Sequence, residues 1–150
     1  MEGYLKAAEE SDMDILFEWA NDPIVRQNSF HSERILYEDH KKWFYGILEG
    51  SGCRQYIYIC NNEKIGQARI TVNGFEAEIS YSICPQKRNQ GHGAKLLQLI
   101  YRQVKEEFPQ IRKLIGKVKP ENIASAKAFL HAGYGEQYSV YERQMELQAE

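Results

Sequence analysis

Residues 88 to 93 of this 150-residue chain read Arg-Asn-Gln-Gly-His-Gly, a basic turn with glycines at positions 91 and 93. The alternating stretch EAEISYSI (76–83) precedes the turn, and Leu96, Leu97, Ile100, Val104 and Phe108 follow it at helical spacing. A strand, a glycine turn and a helix in that order favour an anion. The first amides of a helix lack intrahelical acceptors and carry partial positive charge, and glycine removes the Cβ that would hold a phosphate away. Arg88, with Lys87 beside it, adds a cation. The dinucleotide fingerprint does not fit, because its third glycine would fall on Leu96, and no GKS or GKT marks a nucleoside-triphosphate loop. His31, His40, His92 and His131 show no metal-ligand spacing with Cys53, Cys60 and Cys84, so no metal is expected. The cysteines form no CxxC pair and read as reduced structural thiols, with Cys84 buried at a strand end.

These residues need elements to position them. YLKAA (4–8) reads as a first strand, and Ser11 or Asp12 offers an N-cap to a helix over 13–22, where Ile15, Leu16 and Trp19 share a face. Asp22-Pro23 interrupts that helix, and PIVRQNSFHSER (23–34) reads as a polar, aromatic linker. A second helix over 37–49 turns Trp43, Phe44, Ile47 and Leu48 inward and stops at Gly50 and Gly52. QYIYIC (55–60) and KIGQARITV (64–72) form a hairpin, and Asn73-Gly74 turns the chain into 76–83. There Ala77, Ile79, Tyr81 and Ile83 share one face, with Glu78, Ser80 and Ser82 on the other. After the helix over 93–108, KLIGKV (113–118) is a short strand. Asn122 then caps a helix over 123–132, and QYSVYERQMEL (137–147) is a last strand or pair of strands. The order β-α-α-β-β-β-α-β-α-β predicts an α/β domain with a mixed sheet.

Length fits one domain over 1–150, and 43% apolar with 27% charged residues is an ordinary globular composition. A net charge of −2 gives no broad footprint for nucleic acid. The N-terminal MEGYLKAAEESD is polar and acidic rather than a signal peptide, and no apolar run approaches the roughly 20 residues of a membrane span. A cytoplasmic setting without membrane contact is the expectation.

Residues 88–93 match the pattern [QR]-x-x-G-x-[GA], and the chain here resembles the GNAT acetyltransferases. AEISYSICP before the turn looks like the fourth strand of that family, and VKPENIASAKAFLHAGY (118–134) is similar to its second signature. The resemblance implies a GNAT fold: a mixed, mostly antiparallel sheet of six to seven strands, about four flanking helices, and fourth and fifth strands splayed apart. It implies acetyl-CoA as cosubstrate, its pyrophosphate on Arg88 and the amides of Asn89, Gln90, Gly91, His92, Gly93 and Ala94, where the backbone of His92 counts for more than its ring. A backbone N–H near Ile83 or Cys84 would polarise the thioester carbonyl. Asn122 would bond pantetheine, with Ser125 and Phe129 nearby.

The same resemblance places Glu78 where several members carry a base. The family often has a tyrosine at the position of Phe129 to protonate the leaving thiolate; phenylalanine cannot, so Tyr141, or Tyr138 or Tyr81, stands as substitute. Lys117 occupies a position where some protein N-terminal acetyltransferases have glutamate. Residues 17–44 resemble a subgroup acting on nucleotide-linked amino sugars, of the pseudaminic-acid pathway type. Arg26, Asn28 and His31 are the expected acceptor contacts, and Trp43 and Phe44 are expected to pack in the core. The expected activity is N-acetylation of a small-molecule amine, best a nucleotide-linked 4-amino-6-deoxy sugar, by an enzyme compatible with a homodimer. A protein N-terminal or polyamine acetyltransferase, or a non-catalytic CoA-binding sensor, remains open.

Overall fold

The computed structural model describes residues 3–50 and 52–146. Its sheet has five strands among these residues, β1 (Gly3–Ala7), β2 (Cys53–Cys60), β3 (Glu63–Asn73), β4 (Glu76–Ile83) and β5 (Lys113–Gly116), side by side in chain order. The first four pair antiparallel through tight connections, Asn61 and Asn62 at positive φ turning β2 into β3 and Gly74 turning β3 into β4. The pairing of β4 with β5 is parallel, which requires a crossover, and α4 (His92–Glu107) supplies it.

On one face α4 buries Leu96, Leu97, Ile100 and Val104 against the sheet, and α5 (Ile123–His131) packs beside it. The other face carries α1 (Met13–Ala20), α2 (Pro23–Asn28) and α3 (Tyr37–Leu48). The core lies between the layers, with Tyr58, Phe44, Ile57, Ile65 and Ile70 among its fully buried side chains. The three cysteines are free thiols, Cys60 and Cys84 buried.

Four expectations are corrected. Asp22-Pro23 starts a helix rather than opening a linker: proline fits the first helical position, and Asp22 Oδ2 accepts from the amides of Ile24 and Val25. That gives five α-helices where about four were expected. Neither Ser11 nor Asp12 caps α1 through its side chain. Both lie in the 3₁₀ turn Glu10–Asp12, and the buried Asp12 carboxylate accepts from the Glu9 amide and pairs with Lys64 at 2.5 Å. On α3 the buried arc is His40, Phe44 and Ile47, so Trp43 and Leu48 are rotated outward, Trp43 being 38% exposed. Finally, five strands replace the six to seven expected, because residues 137–146 form no strand. They meet no ladder partner, and Tyr138, Val140, Tyr141 and Met145 stand largely in solvent; Leu147 lies outside the described residues.

Candidate active site

Pro85 ends β4 and begins a single 3₁₀ turn, Pro85–Lys87, that leads into the basic turn. Asn89 (φ 62°) and Gly91 (φ 82°) both take the left-handed conformation, and Gly91 is the N-cap of α4. With no side chain there, no side-chain hydrogen bond caps the helix, and its first-turn amides open outward. A Cβ on Gly91 would meet nothing within 4 Å, so glycine serves the positive φ rather than a tight space. Gly93 differs: a Cβ there would stand 3.3 Å from the Cβ of Ala128 and 3.5 Å from the Tyr81 hydroxyl. That position is small because α4 passes closely over α5 and β4.

The side chain of Arg88, expected to serve this turn, and the ring of His92 both have partners within the fold. Arg88 Nε donates to the Ile83 carbonyl at 3.1 Å, and its Nη2 pairs with Asp22 at 2.8 Å, tying the turn to the start of α2. Burial alone would raise the Asp22 pKa, but the Arg88 hydrogen bond and the α2 amides outweigh it and hold the carboxyl low. The His92 ring is buried, with Nδ1 2.9 Å from the Tyr58 hydroxyl, so it pins the start of α4 to β2. Burial, with Lys95 and Lys87 nearby, lowers the pKa of His92 and keeps it neutral, while burial pushes Tyr58 up to about 12.

Between β4 and β5 the sheet opens. Their pairing runs only from Glu76↔Lys113 to Ile79↔Gly116, and Ser80–Ile83 has no strand beside it on that edge among the described residues. Cys84 donates its N–H to the Ile65 carbonyl at 2.8 Å, toward β3, so its amide is already spent. Successive amides alternate between strand edges, which turns the Ile83 N–H toward the opening. Asn122 caps α5, its Oδ1 accepting from the Ser125 amide at 3.2 Å. The Ser125 hydroxyl lies 3.0 Å from that of Tyr81. Phe129 packs edge-on to Tyr81 and Tyr134 at centroid distances of 5.9 and 5.1 Å. Its ring tip covers Gly116 so closely that a Cβ there would fall 2.2 Å from Cζ. Burial raises the Tyr81 pKa, the Ser125 bond opposing it, so the phenol keeps its proton.

The opposite face of the opening is a polar floor. Register places Gln67 beside Ser82, Arg69 beside Ser80 and Thr71 beside Glu78, all pointing toward the α1–α3 layer. Gln67 donates to Ser82 at 3.1 Å, and Lys117 pairs with Glu78 at 2.8 Å; this carboxylate is 48% exposed and raises the Lys117 pKa. The α2 helix bridges the opening, held on the β4 side by Arg88–Asp22 and beyond β5 by Lys119, which donates to the Gln27 carbonyl at 3.0 Å.

The expected acceptor contacts fall near this bridge with unequal freedom. Arg26 donates to the carbonyls of Ala20 (2.7 Å) and His31 (2.9 Å) and to Ser29, so its guanidinium organises the loop after α2. Asn28 is half-buried at the end of α2 and His31 is exposed. Tyr141 is 93% exposed on the unpaired C-terminal segment. Arg69 on the floor is a residue that the sequence motifs leave out of the site, while Tyr81, one of the tyrosines expected as a substitute acid, lies against α5. The alternation of QARIT and ISYSI carried the signal for both, since it fixes which face each side chain takes.

The model of the acetyltransferase (GNAT) domain matches residues 4–135, and the chain belongs to that family of acetyltransferases. No curated protein sequence matches it. Among solved structures, aminoglycoside acetyltransferase AAC(6')-Ib, in complex with coenzyme A and kanamycin, superposes with a TM-score of 0.80 at 20% identity, over 93% of this chain and 87% of that one. Spermidine N-acetyltransferase from Vibrio cholerae, in complex with CoA and spermine, gives 0.83 at 16% identity, over 95% and 86%. RimL, a ribosomal alpha-N-protein acetyltransferase in complex with coenzyme A, gives 0.74 at 22% identity, over 86% and 77%. These likenesses define the fold. Among the described residues no group of three or more His, Cys, Asp or Glu side chains is placed to hold a metal, and no helix is long and apolar enough to cross a membrane.

Proposed function

We propose that the chain forms a single N-acetyltransferase domain that moves the acetyl group of acetyl-CoA directly to a primary amine. The observation that carries this reading is the opening between β4 and β5, headed by the uncapped first turn of α4. Acetyl-CoA supplies an activated thioester, which the amine converts to an amide with release of a thiol. The main chain of Asn89 to Ala94 offers amides to the pyrophosphate, and Arg88 supports the turn from behind through Ile83 and Asp22. Asn122 and Ser125 face pantetheine from α5, and the Ile83 amide serves the carbonyl in place of Cys84, whose N–H is committed to Ile65.

Glu78 accepts the amine proton, directly or through water, with Lys117 holding its carboxylate in place at 2.8 Å. Tyr81 rather than Tyr141 donates to the departing sulfur, supported by its neutral hydroxyl beside Ser125 at the opening. Phe129 fills the position without offering a proton. The acceptor enters from the α1–α3 side, across the floor and past Asn28 and His31. Our preferred acceptor is a nucleotide-linked 4-amino-6-deoxy sugar, supported by the likeness of residues 17–44 to that subgroup and by a floor of hydroxyls and amides suited to sugar hydroxyls.

Thiol release from acetyl-CoA against a panel of amines tests the proposal: a nucleotide-linked 4-amino sugar, kanamycin, spermidine and a peptide N-terminus. Turnover with the sugar nucleotide above the other three is expected. CoA binding without thiol release from any amine would make the chain a CoA sensor instead.

A further inference from the structure

Arg69 is the charged group of the floor that the chain itself leaves unanswered. It sits on β3, half-buried between Gln55 of β2 and Ser80 of β4 in register, with Trp43 of α3 against it. Its Cζ lies 5.3 Å from the Trp43 ring centroid, a cation–π contact that fixes the guanidinium while leaving its N–H groups unused. Among the described residues no carboxylate or carbonyl accepts from it. The carboxylate on its own face, Glu78, is paired to Lys117, and the acidic residue near α2, Asp22, is paired to Arg88. The other charge facing it is Arg26, which is itself tied to the carbonyls of Ala20 and His31. Burial and then Arg69 depress the Arg26 pKa. A half-buried guanidinium with unspent donors, a second cation near and no free carboxylate beside it lacks an oxyanion.

We propose that Arg69, braced by Trp43, is the binding site for an oxyanion carried by the acceptor, a phosphate or a carboxylate of the amine substrate. This rests on the acetyltransferase reading above and narrows its acceptor. A planar guanidinium meets such a group with two parallel hydrogen bonds, and the Trp43 ring holds the plane in place. The same charge repels polycationic amines, so this floor selects against a substrate such as spermidine.

Binding is read first, without turnover. With CoA saturating, so that the turn before α4 is filled, uridine diphosphate is titrated while tryptophan fluorescence is followed. Trp43, partly exposed and in contact with Arg69, reports on the Arg69 region, whereas Trp19 is buried away from solvent. A saturable change is expected, weakened about 10- to 100-fold in Arg69→Met, the loss of a charge-assisted hydrogen-bonded pair. Arg69→Gln serves as a second variant should the methionine protein fail to fold. Kinetics then identify the anion: an amino sugar 1-phosphate, its unphosphorylated parent and an amino acid are compared at saturating acetyl-CoA. Arg69→Met should raise KM about 10- to 100-fold for the anionic acceptor, change its kcat less than about threefold, and leave the neutral sugar and the KM for acetyl-CoA unmoved. A preference for the sugar phosphate makes the anion a phosphate, and a preference for the amino acid makes it a carboxylate. Uridine diphosphate binding unchanged by either variant, or spermidine as the best acceptor, overturns the proposal. Arg69-dependent binding with no turnover of any amine would refute the enzyme reading while leaving the oxyanion site standing.

Discussion

Tyr81→Phe separates a chemical role for the phenol from a structural one. The substitution removes one oxygen and leaves the ring, so the edge contact with Phe129 at 5.9 Å survives. What is lost in the fold is one neutral hydrogen bond to Ser125, 3.0 Å long and partly buried, worth about 1 kcal/mol. For a chain of this size that lowers Tm by about 2–4 °C. If the hydroxyl protonates the leaving sulfur, kcat should fall about 100-fold, at the low end for a positioned acid because water can partly substitute. The two magnitudes differ enough to be told apart. Since burial raises the pKa of Tyr81 above its ordinary 10, the donor is intact throughout the neutral range, and the loss should be uniform between about pH 6 and pH 9. Ser125→Ala is the control, breaking the same bond while keeping the phenol. It should cost the same 2–4 °C and less than about tenfold in kcat. Thiol-release kinetics and thermal melts on the three proteins suffice. A Tyr81→Phe enzyme within twofold of the parent kcat refutes the role, as does a Ser125→Ala enzyme equally slow.

Three further outcomes follow from the geometry. Gly91→Ala introduces a Cβ with nothing within 4 Å but at φ 82°, so the fold should survive a strain of about 1–2 kcal/mol. The stabilisation of the protein by CoA in a thermal-shift assay should disappear, and a retained shift would remove the turn from the site. Gly116→Ala drives a methyl into Phe129 and should cost about 1–3 kcal/mol in urea unfolding, recovered in part by Phe129→Leu; no recovery would show that the ring is not the obstacle. Asp12→Asn should cost about 2–3 kcal/mol at neutral pH, loss of the Lys64 and Glu9 bonds to a buried carboxylate, tempered by the partial exposure of Lys64. Burial alone would raise the Asp12 pKa, but these partners lower it in the folded state. Its contribution is therefore complete above the unfolded carboxyl pKa of about 4 and is lost as pH falls through the folded value. Urea midpoints of the two proteins should converge in that acid range, and a gap that stays constant would contradict the assignment.

Where one periodic signal dominated, the sequence was readable. The stripe Leu96, Leu97, Ile100 and Val104 marked α4 to within a residue, and the alternation of 76–83 matched β4 end to end. The misreadings share a cause: a side chain served a partner distant in sequence. Trp43 looked like core because it adjoins Phe44, yet a buried His40 bonding the Met13 carbonyl takes the inward arc and leaves Trp43 to Arg69. Around the turn, the partners of the Arg88 side chain and the His92 ring, Asp22 and Tyr58, likewise come from other layers. The last segment has the composition of a strand, but β-pairing depends on an available edge as much as on composition, and β5 offers only four residues.

The phenylalanine at position 129, where the resemblance implies a tyrosine, has a packing role in this fold. The Phe129 ring points its tip at Gly116, with Cζ nearer than Cε1 or Cε2 to where a Cβ would stand. Any side chain at position 116 would collide with the ring, so the two residues fit only as a glycine beneath a ring. Withdrawal of the ring would uncover Gly116 and loosen the edge contact with Tyr134 at 5.1 Å, where the parting of β4 and β5 is braced. Phenylalanine thus keeps the opening in shape, and a hydroxyl needed there has to come from another element. Tyr81 can bring one from the facing strand, because Gly93 leaves room above it and Ser125 lies 3.0 Å away. The enzyme and sensor readings consequently diverge at Tyr81 rather than at Phe129.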